Sequence, residues 1–208
     1  MRLLEEYGID IPRFEVATSP KEAEKIAALF RGPVVMKICS PEIVHKSDRG
    51  LVRVGVDPDE ARKVFKKFMK EAPDADGVIV SELVPSGVET VVGVSQDDLF
   101  GPVVMFGLGG VFVEVLKDVT FRVPPFGKDE ARRMLEEVQG AALLGGARGR
   151  PKVDRNALVD VIMRVQRMAM DLHDELAELD INPLAALAKG AVALDALAVR
   201  NVEAVARG

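Results

Sequence analysis

The chain has 208 residues, of which 48% are hydrophobic, and its 28 lysines and arginines stand against 33 aspartates and glutamates. This length is enough to bury a real hydrophobic core in one large or two small domains, so a disordered chain is excluded. The net charge of -5 and the absence of tryptophan argue against nucleic-acid binding, which needs a basic surface and stacking platforms. No apolar stretch reaches the roughly 20 residues that span a membrane. A single cysteine and no recognisable secretion signal favour a cytoplasmic location.

Helices and strands alternate in the first part of the chain. Ser19 followed by Pro20 and Glu22 is typical of a helix start, because it combines a capping side chain, a proline in the first turn and an acidic residue. Residues 57–60 repeat this pattern and predict a second helix start. The predicted elements are helices at 3–7, about 19–31 and 57–70, with strands at 34–38 and 51–56, the second with its valines on one face.

The middle of the chain is a cluster of predicted strands, and helices dominate the remainder. The glycine cluster at 107–110 leads into a strand pattern, which argues against a dinucleotide-binding fingerprint because that fingerprint needs a helix there. The predicted strands are 77–80, 89–94, 102–106, 111–116, 119–123 and 191–194, and the predicted helices are 128–138 and about 155–178. Because no unbroken strand–helix–strand series is present, we expect an α+β fold with two lobes at 1–84 and 85–208.

The first candidate site begins at Lys37, a cation inside the apolar strand 34–38. A lysine that buries its stem and keeps its ammonium in water explains this residue at least as well as a ligand does. The loop that follows changes this balance, because His45, Lys46 and Ser47 supply an imidazole, a cation and a hydroxyl. Such a loop suits phosphate, and an imidazole among cations can accept a phosphoryl group.

Two further sets of charged residues allow either a structural or a functional explanation. Glu82 and Glu89 flank a bend, where they are ordinary surface acids or partners for the amine and ribose hydroxyls of a nucleotide. Glu114 and Asp118, with Arg122 beyond them, form either a solvated row of charges or a wall that faces the site. The residue pattern does not decide between these explanations.

A third set contains the oxygen ligands that magnesium prefers. Asp180, Asn182 and Asp195 are expected on two adjacent strands, with Pro183 fixing the turn. Mg²⁺ takes one or two protein carboxylates and completes its octahedron with phosphates and water. A capped helix end and an ordinary turn explain the same residues, so the spacing alone leaves both possibilities open.

Together these segments resemble an ATP-grasp protein, and more closely the β subunit of the ADP-forming acetyl-CoA synthetases, which are relatives of succinyl-CoA synthetase. The resemblance covers nearly the whole chain, and its motifs occur in the family's order. They are residues 33–37, 40–48, 87–89, 100–103, 106–110 and 180–184.

The resemblance implies an ATP-grasp fold with two α/β lobes around a nucleotide cleft. It also implies the roles of individual residues: His45 relays phosphate, Lys37 with Lys46 and Ser47 holds the nucleotide phosphates, Glu82 and Leu83 line the adenine hinge, Glu89 reaches the nucleotide, and Asn182 and Asp195 hold Mg²⁺.

In that family an α subunit converts acyl-CoA and phosphate into an acyl phosphate, which phosphorylates a histidine of the α subunit. The phosphoryl group is then carried to the ATP-grasp site, where ADP becomes ATP. The chain is therefore expected to be the nucleotide-binding subunit of an acetate-CoA ligase (ADP-forming), with ATP or ADP as substrate. Its partner would be an α subunit that carries the CoA-binding and catalytic-histidine domains, in an α2β2 assembly. Two alternatives stay open, namely a stand-alone carboxylate–amine ligase of the ATP-grasp type and a non-catalytic nucleotide-sensing subunit.

Overall fold

The computed structural model describes residues 1–43, 46–110, 113, 116–146 and 151–201. They form two compact units: the smaller is Pro12–Val84, and the larger joins Met1–Ile11 to the chain from Pro85 onwards. The division expected from the sequence, 1–84 and 85–208, differs from this grouping at the N-terminus. The physical reason is burial, because Leu4 and Ile9 are each 1% exposed and belong to the core of the larger unit.

Five α-helices and ten strands are defined in the described residues. The helices are α1 (Arg2–Glu6), α2 (Pro20–Leu29), α3 (Ala61–Glu71), α4 (Lys128–Glu137) and α5 (Arg155–Asp171). The strands are β1 (Phe14–Ala17), β2 (Val34–Cys39), β3 (Val52–Val56), β4 (Gly77–Glu82), β5 (Val88–Asp97), β6 (Gly101–Leu108), β7 (Val119–Arg122), β8 (Leu176–Ala186), β9 (Ala191–Ala193) and β10 (Ala196–Arg200). A short 3-10 helix covers Ala141–Leu143.

The smaller unit is an antiparallel sheet in the order β1-β4-β2-β3, and its core lies between one face of this sheet and the helices α2 and α3. Val34, Met36 and Ile38 of β2 point into this core and are fully buried. They alternate with residues that are only half-buried. The strand thus has one covered face and one partly open face, instead of the continuous burial expected from its apolar sequence.

The two predicted helix starts in this unit have different outcomes. At α2 the prediction is confirmed: the Ser19 hydroxyl accepts a hydrogen bond from the Glu22 amide at 3.3 Å. The Glu22 carboxylate in turn accepts hydrogen bonds from the Thr18 amide and hydroxyl. At α3 the predicted start is wrong by several residues, because Pro58–Glu60 form a turn and the helix begins at Ala61.

Strand β3 also departs from the expected pattern. The sequence predicts that its valines share one face, yet Val54 is 64% exposed while Val56 is buried. The register against β2 shifts within this strand, and Gly55 has a φ of +72°. A bulge of this kind turns side chains away from strict alternation, which explains the difference.

The larger unit is built on an antiparallel sheet in the order β10-β8-β5-β6-β7, with β9 paired to β8. The core packs α4 and α5 against this sheet. The predicted helix at 128–138 is confirmed as α4. The helix predicted at 155–178 is too long, because α5 ends at Asp171 and Leu176 already begins β8, which pairs with β5 and β10.

The predicted strand at 111–116 falls largely outside the described residues. Within the described part, Val113 is helical and Leu116 lies in a turn, so these two positions do not form the expected strand. The Val113 amide donates a hydrogen bond to the Gly110 carbonyl at 3.1 Å, as in a helical turn. No helix in the described ranges is both long and apolar enough to cross a membrane.

Candidate nucleotide and metal site

Lys37 lies in the middle of β2, on the face of the smaller sheet that points away from the core. The strand register places it opposite Val52 of β3 and Ile79 of β4. Residues directly opposite each other in antiparallel strands project to the same side, so the three side chains share a face. All three are half-buried. Lys37, the cation that the sequence predicts to bind phosphate, therefore lies among apolar side chains on the partly open side of the sheet.

The same face continues toward the edge strand β1. Val35 of β2 is opposite Ser81 of β4, Ser81 is opposite Phe14, and Ile79 is opposite Val16. Apart from the Ser81 hydroxyl and Cys39, the residues that these registers place around Lys37 are apolar. A flat, weakly polar ring can pack on such a surface while a phosphate chain reaches the lysine. We call this surface, made of Phe14, Val16, Val35, Lys37, Val52, Ile79 and Ser81, the lysine face.

The segment after β2 returns to the lysine strand. The Leu51 amide donates to the Lys46 carbonyl at 2.9 Å, and the Gly50 amide donates to the Ser47 carbonyl at 3.0 Å. Gly50 has a φ of +65°, a conformation that favours glycine. The Ile38 amide then donates to the Leu51 carbonyl at 3.0 Å, which anchors the turn beside Lys37.

The pKa of the Cys39 thiol depends on the charges around this turn. Burial raises the pKa of the Cys39 thiol, the negative charge of Asp76 raises it further, and the positive charge of Lys46 lowers it. Lys46 is thus close enough to act on the end of β2 that follows Lys37. His45 lies outside the described residues, so its predicted position beside these cations stays a prediction.

Glu82 ends β4 on the opposite side of the sheet from the lysine face. Its strand partner is Val34, which points into the core. The Glu82 carboxylate accepts hydrogen bonds from the Arg13 amide at 2.9 Å and from Arg13 Nε at 3.1 Å. Leu83, the next residue, is 43% exposed. The Glu82 carboxylate is therefore bound to Arg13 and does not lie beside Lys37.

Glu89 belongs to the larger unit, near the start of β5, and its side chain is exposed. Its carbonyl accepts a hydrogen bond from the Gly109 amide at 2.8 Å. A Cβ atom at Gly109 would lie 3.0 Å from the Glu89 Cβ, so the close approach of the two segments favours glycine. The glycine-rich segment after β6 is therefore packed directly against Glu89.

Asn182 and Asp195 are neighbours in the larger unit, as the sequence predicts from adjacent strands. The Asn182 amide donates to the Asp195 carbonyl at 3.1 Å, and the Leu194 amide donates to the Pro183 carbonyl at 2.9 Å. Asp195 Oδ1 also accepts a hydrogen bond from the Ala196 amide at 3.0 Å. These bonds hold the segment between β9 and β10 against β8.

Asp180 adds a third oxygen donor, which the residue pattern includes in the candidate set and the resemblance leaves out of the ligand pair. Its Oδ1 atom is buried and has no hydrogen-bond partner among the residues that the structure describes. Burial raises the pKa of the Asp180 carboxyl, and the charges of Glu178 and Asp195 raise it further, while a hydrogen bond with the Asn182 side chain lowers it. A bound cation would satisfy the unpartnered oxygen and remove the repulsion between the carboxylates. An acid inside an otherwise apolar strand was the signal in the sequence.

This donor set fits magnesium. Within the described ranges, no group of three or more His, Cys, Asp or Glu side chains is arranged to hold a metal. Mg²⁺ does not need such a group, because it takes one or two carboxylates and obtains its other ligands from water and phosphate. The carboxylates of Asp180 and Asp195 and the amide oxygen of Asn182 are hard oxygen donors of that kind.

Asp118 and Arg122, which the sequence left between two explanations, have structural roles. Asp118 is 4% exposed and accepts hydrogen bonds from the amides of Gln139 and Gly140 at 2.7 and 2.9 Å. Arg122 forms ion pairs with Glu130 and Glu137 of α4. These contacts attach β7 and the end of α4 to each other. Glu114 lies outside the described residues.

Comparisons with known proteins show the family and the fold of the chain. The family model described as an ATP-grasp domain matches residues 1–199. Over 201 residues the chain is 47% identical to the β subunit of acetate–CoA ligase [ADP-forming] I from Pyrococcus furiosus. This match covers 93% of this chain and 86% of the relative.

Two solved structures of acetyl-coenzyme A synthetase 1 from Ca. Korarchaeum cryptofilum have a similar fold. The first, in complex with coenzyme A, Ca-AMPCP and HgCl+, is 40% identical with a TM-score of 0.92, and the match covers 96% of this chain and 90% of that chain. The second contains coenzyme A and Mg-AMPPCP, with a phosphohistidine segment that points towards the nucleotide-binding site. It is 38% identical with a TM-score of 0.84, and the match covers 96% of this chain and 89% of that chain.

Proposed function

Because the chain belongs to the ATP-grasp family, we propose that it is the nucleotide-binding β subunit of an ADP-forming acyl-CoA synthetase, an acid–thiol ligase. The proposed reaction converts acyl-CoA, ADP and phosphate into the free acid, ATP and CoA. The observation that carries this proposal is the lysine face, where Lys37 lies among half-buried apolar side chains opposite Val52 and Ile79. A nucleotide needs this combination of an apolar surface for its base and a cation for its phosphates.

In the smaller unit, Lys37, Lys46 and Ser47 bind the phosphates in this proposal. Glu82 and Leu83 contact the base through their backbone, because the Glu82 carboxylate is bound to Arg13. In the larger unit, the exposed Glu89 contacts the nucleotide, and its position is fixed by the packing of Gly109. The cations neutralise charge on the phosphates, and positioning supplies most of the catalysis in such transfers.

Asn182 and Asp195, with Asp180 beside them, hold Mg²⁺ in this proposal. The support is the unpartnered buried oxygen of Asp180 and the oxygen donors around it. A related structure contains Mg-AMPPCP. When bound, the ion neutralises negative charge on the nucleotide phosphates. The protein residues orient these phosphates and hold the carboxylates of Asp180 and Asp195 close together where the ion would bind.

His45 is the proposed relay. Its imidazole nitrogen receives a phosphoryl group, and the nitrogen–phosphorus bond then breaks as a terminal phosphate oxygen of ADP attacks the phosphorus, which regenerates the imidazole and forms ATP. Lys46, its neighbour in the sequence, would stabilise the charge during both steps. The donor is a phosphohistidine of the partner subunit, formed there from the acyl phosphate with release of the free acid. Its nitrogen–phosphorus bond breaks as the His45 nitrogen attacks the phosphorus, and the partner's imidazole leaves.

The proposed partner is an α subunit that carries the CoA-binding and catalytic-histidine domains, in an α2β2 assembly. The support is the name of the relative from Pyrococcus furiosus, which designates a β subunit. We also place the protein in the cytoplasm, where ADP and acyl-CoA are available and a single cysteine stays reduced. The nature of the acyl group belongs to the partner in this scheme.

Reconstitution tests the proposal. The chain is co-purified with its α subunit, and ATP formation is measured with acyl-CoA, phosphate, ADP and Mg²⁺. We expect ATP to form only when both subunits are present together with acyl-CoA, phosphate, ADP and Mg²⁺. Full turnover by this chain alone would contradict the assignment as one subunit, and nucleotide binding without any ATP formation in the complex would identify a nucleotide-sensing subunit instead.

Two substitutions separate the roles within the complex. His45→Ala should abolish ATP formation and leave ADP affinity within about twofold, because the relay atom is lost and the phosphate-binding cations remain. A carboxylate–amine ligase would keep its activity after this change. Lys37→Ala should weaken ADP binding by about 100-fold, since it removes a charge-assisted contact in a half-buried place. Lys63→Ala, an exposed lysine on α3, is the matched control and should bind ADP normally.

A further inference from the structure

Arg13 and Glu82 are joined by three hydrogen bonds. The Arg13 amide and Nε donate to the two oxygens of the Glu82 carboxylate at 2.9 and 3.1 Å. The Glu82 amide donates back to the Arg13 carbonyl at 3.0 Å. The guanidinium also lies over the Phe30 ring, 5.6 Å from its centre. Both the backbone and the side chain of Glu82 are therefore fixed by one residue.

These contacts occur where the chain passes from one unit to the other. The chain makes this passage twice in the described residues, between Ile11 and Pro12 and between Val84 and Pro85. Arg13 follows the first passage directly after Pro12, and Glu82 precedes the second by two residues. The pair thus ties together both connecting segments at the point where each enters or leaves the smaller unit.

The stability of the smaller unit does not explain this arrangement. The Arg13 side chain is 76% exposed, and ion pairs between exposed side chains contribute about 0–1 kcal/mol. The pairing of β1 with β4 is already set by four residue pairs, from Phe14 opposite Ser81 to Ala17 opposite Val78. What the Arg13 contacts add is a fixed position for the backbone of Glu82 and of Leu83, which follows it.

From this geometry we infer that Arg13 is a positioning residue for nucleotide binding. It does not touch the nucleotide. It holds the Glu82 carboxylate on the side of the sheet away from Lys37 and fixes the backbone of Glu82 and Leu83 that meets the base. This inference rests on the proposed function, because it assumes that the base is bound at this segment.

Kinetics of the αβ complex test the inference. Arg13→Ala should raise the KM for ADP by about tenfold and change kcat at saturating ADP by no more than about twofold, because only the placement of the base is lost. Arg13→Lys keeps the charge beside Glu82 and should recover part of the affinity. The melting temperature should change by no more than about 2 °C, since the contact is exposed.

Arg62→Ala is the matched control, because Arg62 forms a comparable exposed ion pair with Glu24 in the same unit. The inference is overturned if Arg13→Ala and Arg62→Ala have the same KM for ADP, or if Arg13→Ala lowers the melting temperature and kcat together with no rescue by lysine. If the wild-type complex does not bind ADP at all, the proposed function fails, and this inference fails with it.

Discussion

Two carboxylates in the larger unit, the buried Asp118 and the half-buried Asp180, have opposite surroundings. Both oxygens of Asp118 accept hydrogen bonds from backbone amides, at Gln139 and Gly140. One oxygen of Asp180 is buried without a hydrogen-bond partner, and the charges of Glu178 and Asp195 act on it. The fold thus supplies hydrogen bonds to both oxygens of Asp118, whereas it leaves one oxygen of Asp180 without a partner among the described residues.

The difference shows how to separate a structural acid from a functional one. A buried carboxylate with complete hydrogen bonding stabilises the folded chain, and its loss leaves buried amides without partners. A buried carboxylate with incomplete hydrogen bonding costs stability, and such a cost is typical of binding and catalytic sites. Four predictions test this contrast, and they run from the largest expected effect to the smallest.

Asp118→Ala should lower the free energy of unfolding by about 3 kcal/mol, because the amides of Gln139 and Gly140 lose two partly buried, charge-assisted hydrogen bonds. Asp118→Asn keeps one acceptor oxygen and should lose about half of this amount. Urea unfolding measures both. ADP affinity at a temperature where the variants are folded should equal that of the wild type. An affinity loss in the folded variant would mean that Asp118 belongs to the site.

Asp180→Asn should reduce the affinity for ADP in the presence of Mg²⁺ by about tenfold, because the amide is a weaker ligand for a hard cation. Without Mg²⁺, the variant and the wild type should bind ADP equally. Calorimetric titration under both conditions measures this difference. Equal loss of affinity with and without Mg²⁺ would contradict the role of Asp180 beside the ion.

The same substitution should stabilise the ligand-free chain at neutral pH, by on the order of 1 kcal/mol, because it removes the charge from a carboxylate with one buried oxygen that lacks a hydrogen bond. Thermal unfolding in the presence of a chelator measures this gain. Asp118→Asn is the control and should destabilise under the same conditions. If both substitutions destabilise the chain equally, the contrast between the two carboxylates is wrong.

The pH dependence of this gain follows from the direction of the pKa shift. The pKa of Asp180 in the folded chain is raised above its ordinary value of 3.8, mainly by burial. Ionised Asp180 therefore destabilises the fold above its folded-state pKa, and this cost disappears as the pH falls toward the ordinary value. The advantage of Asp180→Asn over the wild type should be largest at pH 7 and shrink as the pH approaches 4. An advantage that grows on acidification would contradict the account.

The elements that the sequence predicts well are set by local chemistry. The start of α2 depends on Ser19 and Glu22, three residues apart. The Ser19 hydroxyl accepts a hydrogen bond from the Glu22 amide, and the Glu22 carboxylate accepts one from the Thr18 amide. The helix predicted through residue 178 ends at Asp171, although Leu172 and Leu176 continue its apolar spacing. Its end depends on the pairing of β8 with β5 and β10, which lie far away in the sequence. Periodicity contains no information on such pairing.

The candidate site divides in the same way. The sequence places Asn182, in the motif of residues 180–183, and Asp195 on two adjacent strands and so predicts that they are neighbours. The backbone hydrogen bond between them agrees with this expectation. The sequence did not reveal that one Asp180 oxygen lacks a partner, or that Arg13 binds the Glu82 carboxylate, since Arg13 and Glu82 are 69 positions apart. Such contacts depend on the folded sheet.

The central claim is that this chain binds ADP together with Mg²⁺ and that the oxygen donors around Asn182 hold the ion. The most direct test is calorimetric titration of ADP into the wild type and Asn182→Ala, with and without Mg²⁺, using exposed Asn156→Ala as the control. Mg²⁺ should strengthen ADP binding by about tenfold in the wild type and the control, but not in Asn182→Ala. No ADP binding by the wild type, or the same Mg²⁺ effect in all three proteins, would contradict the account.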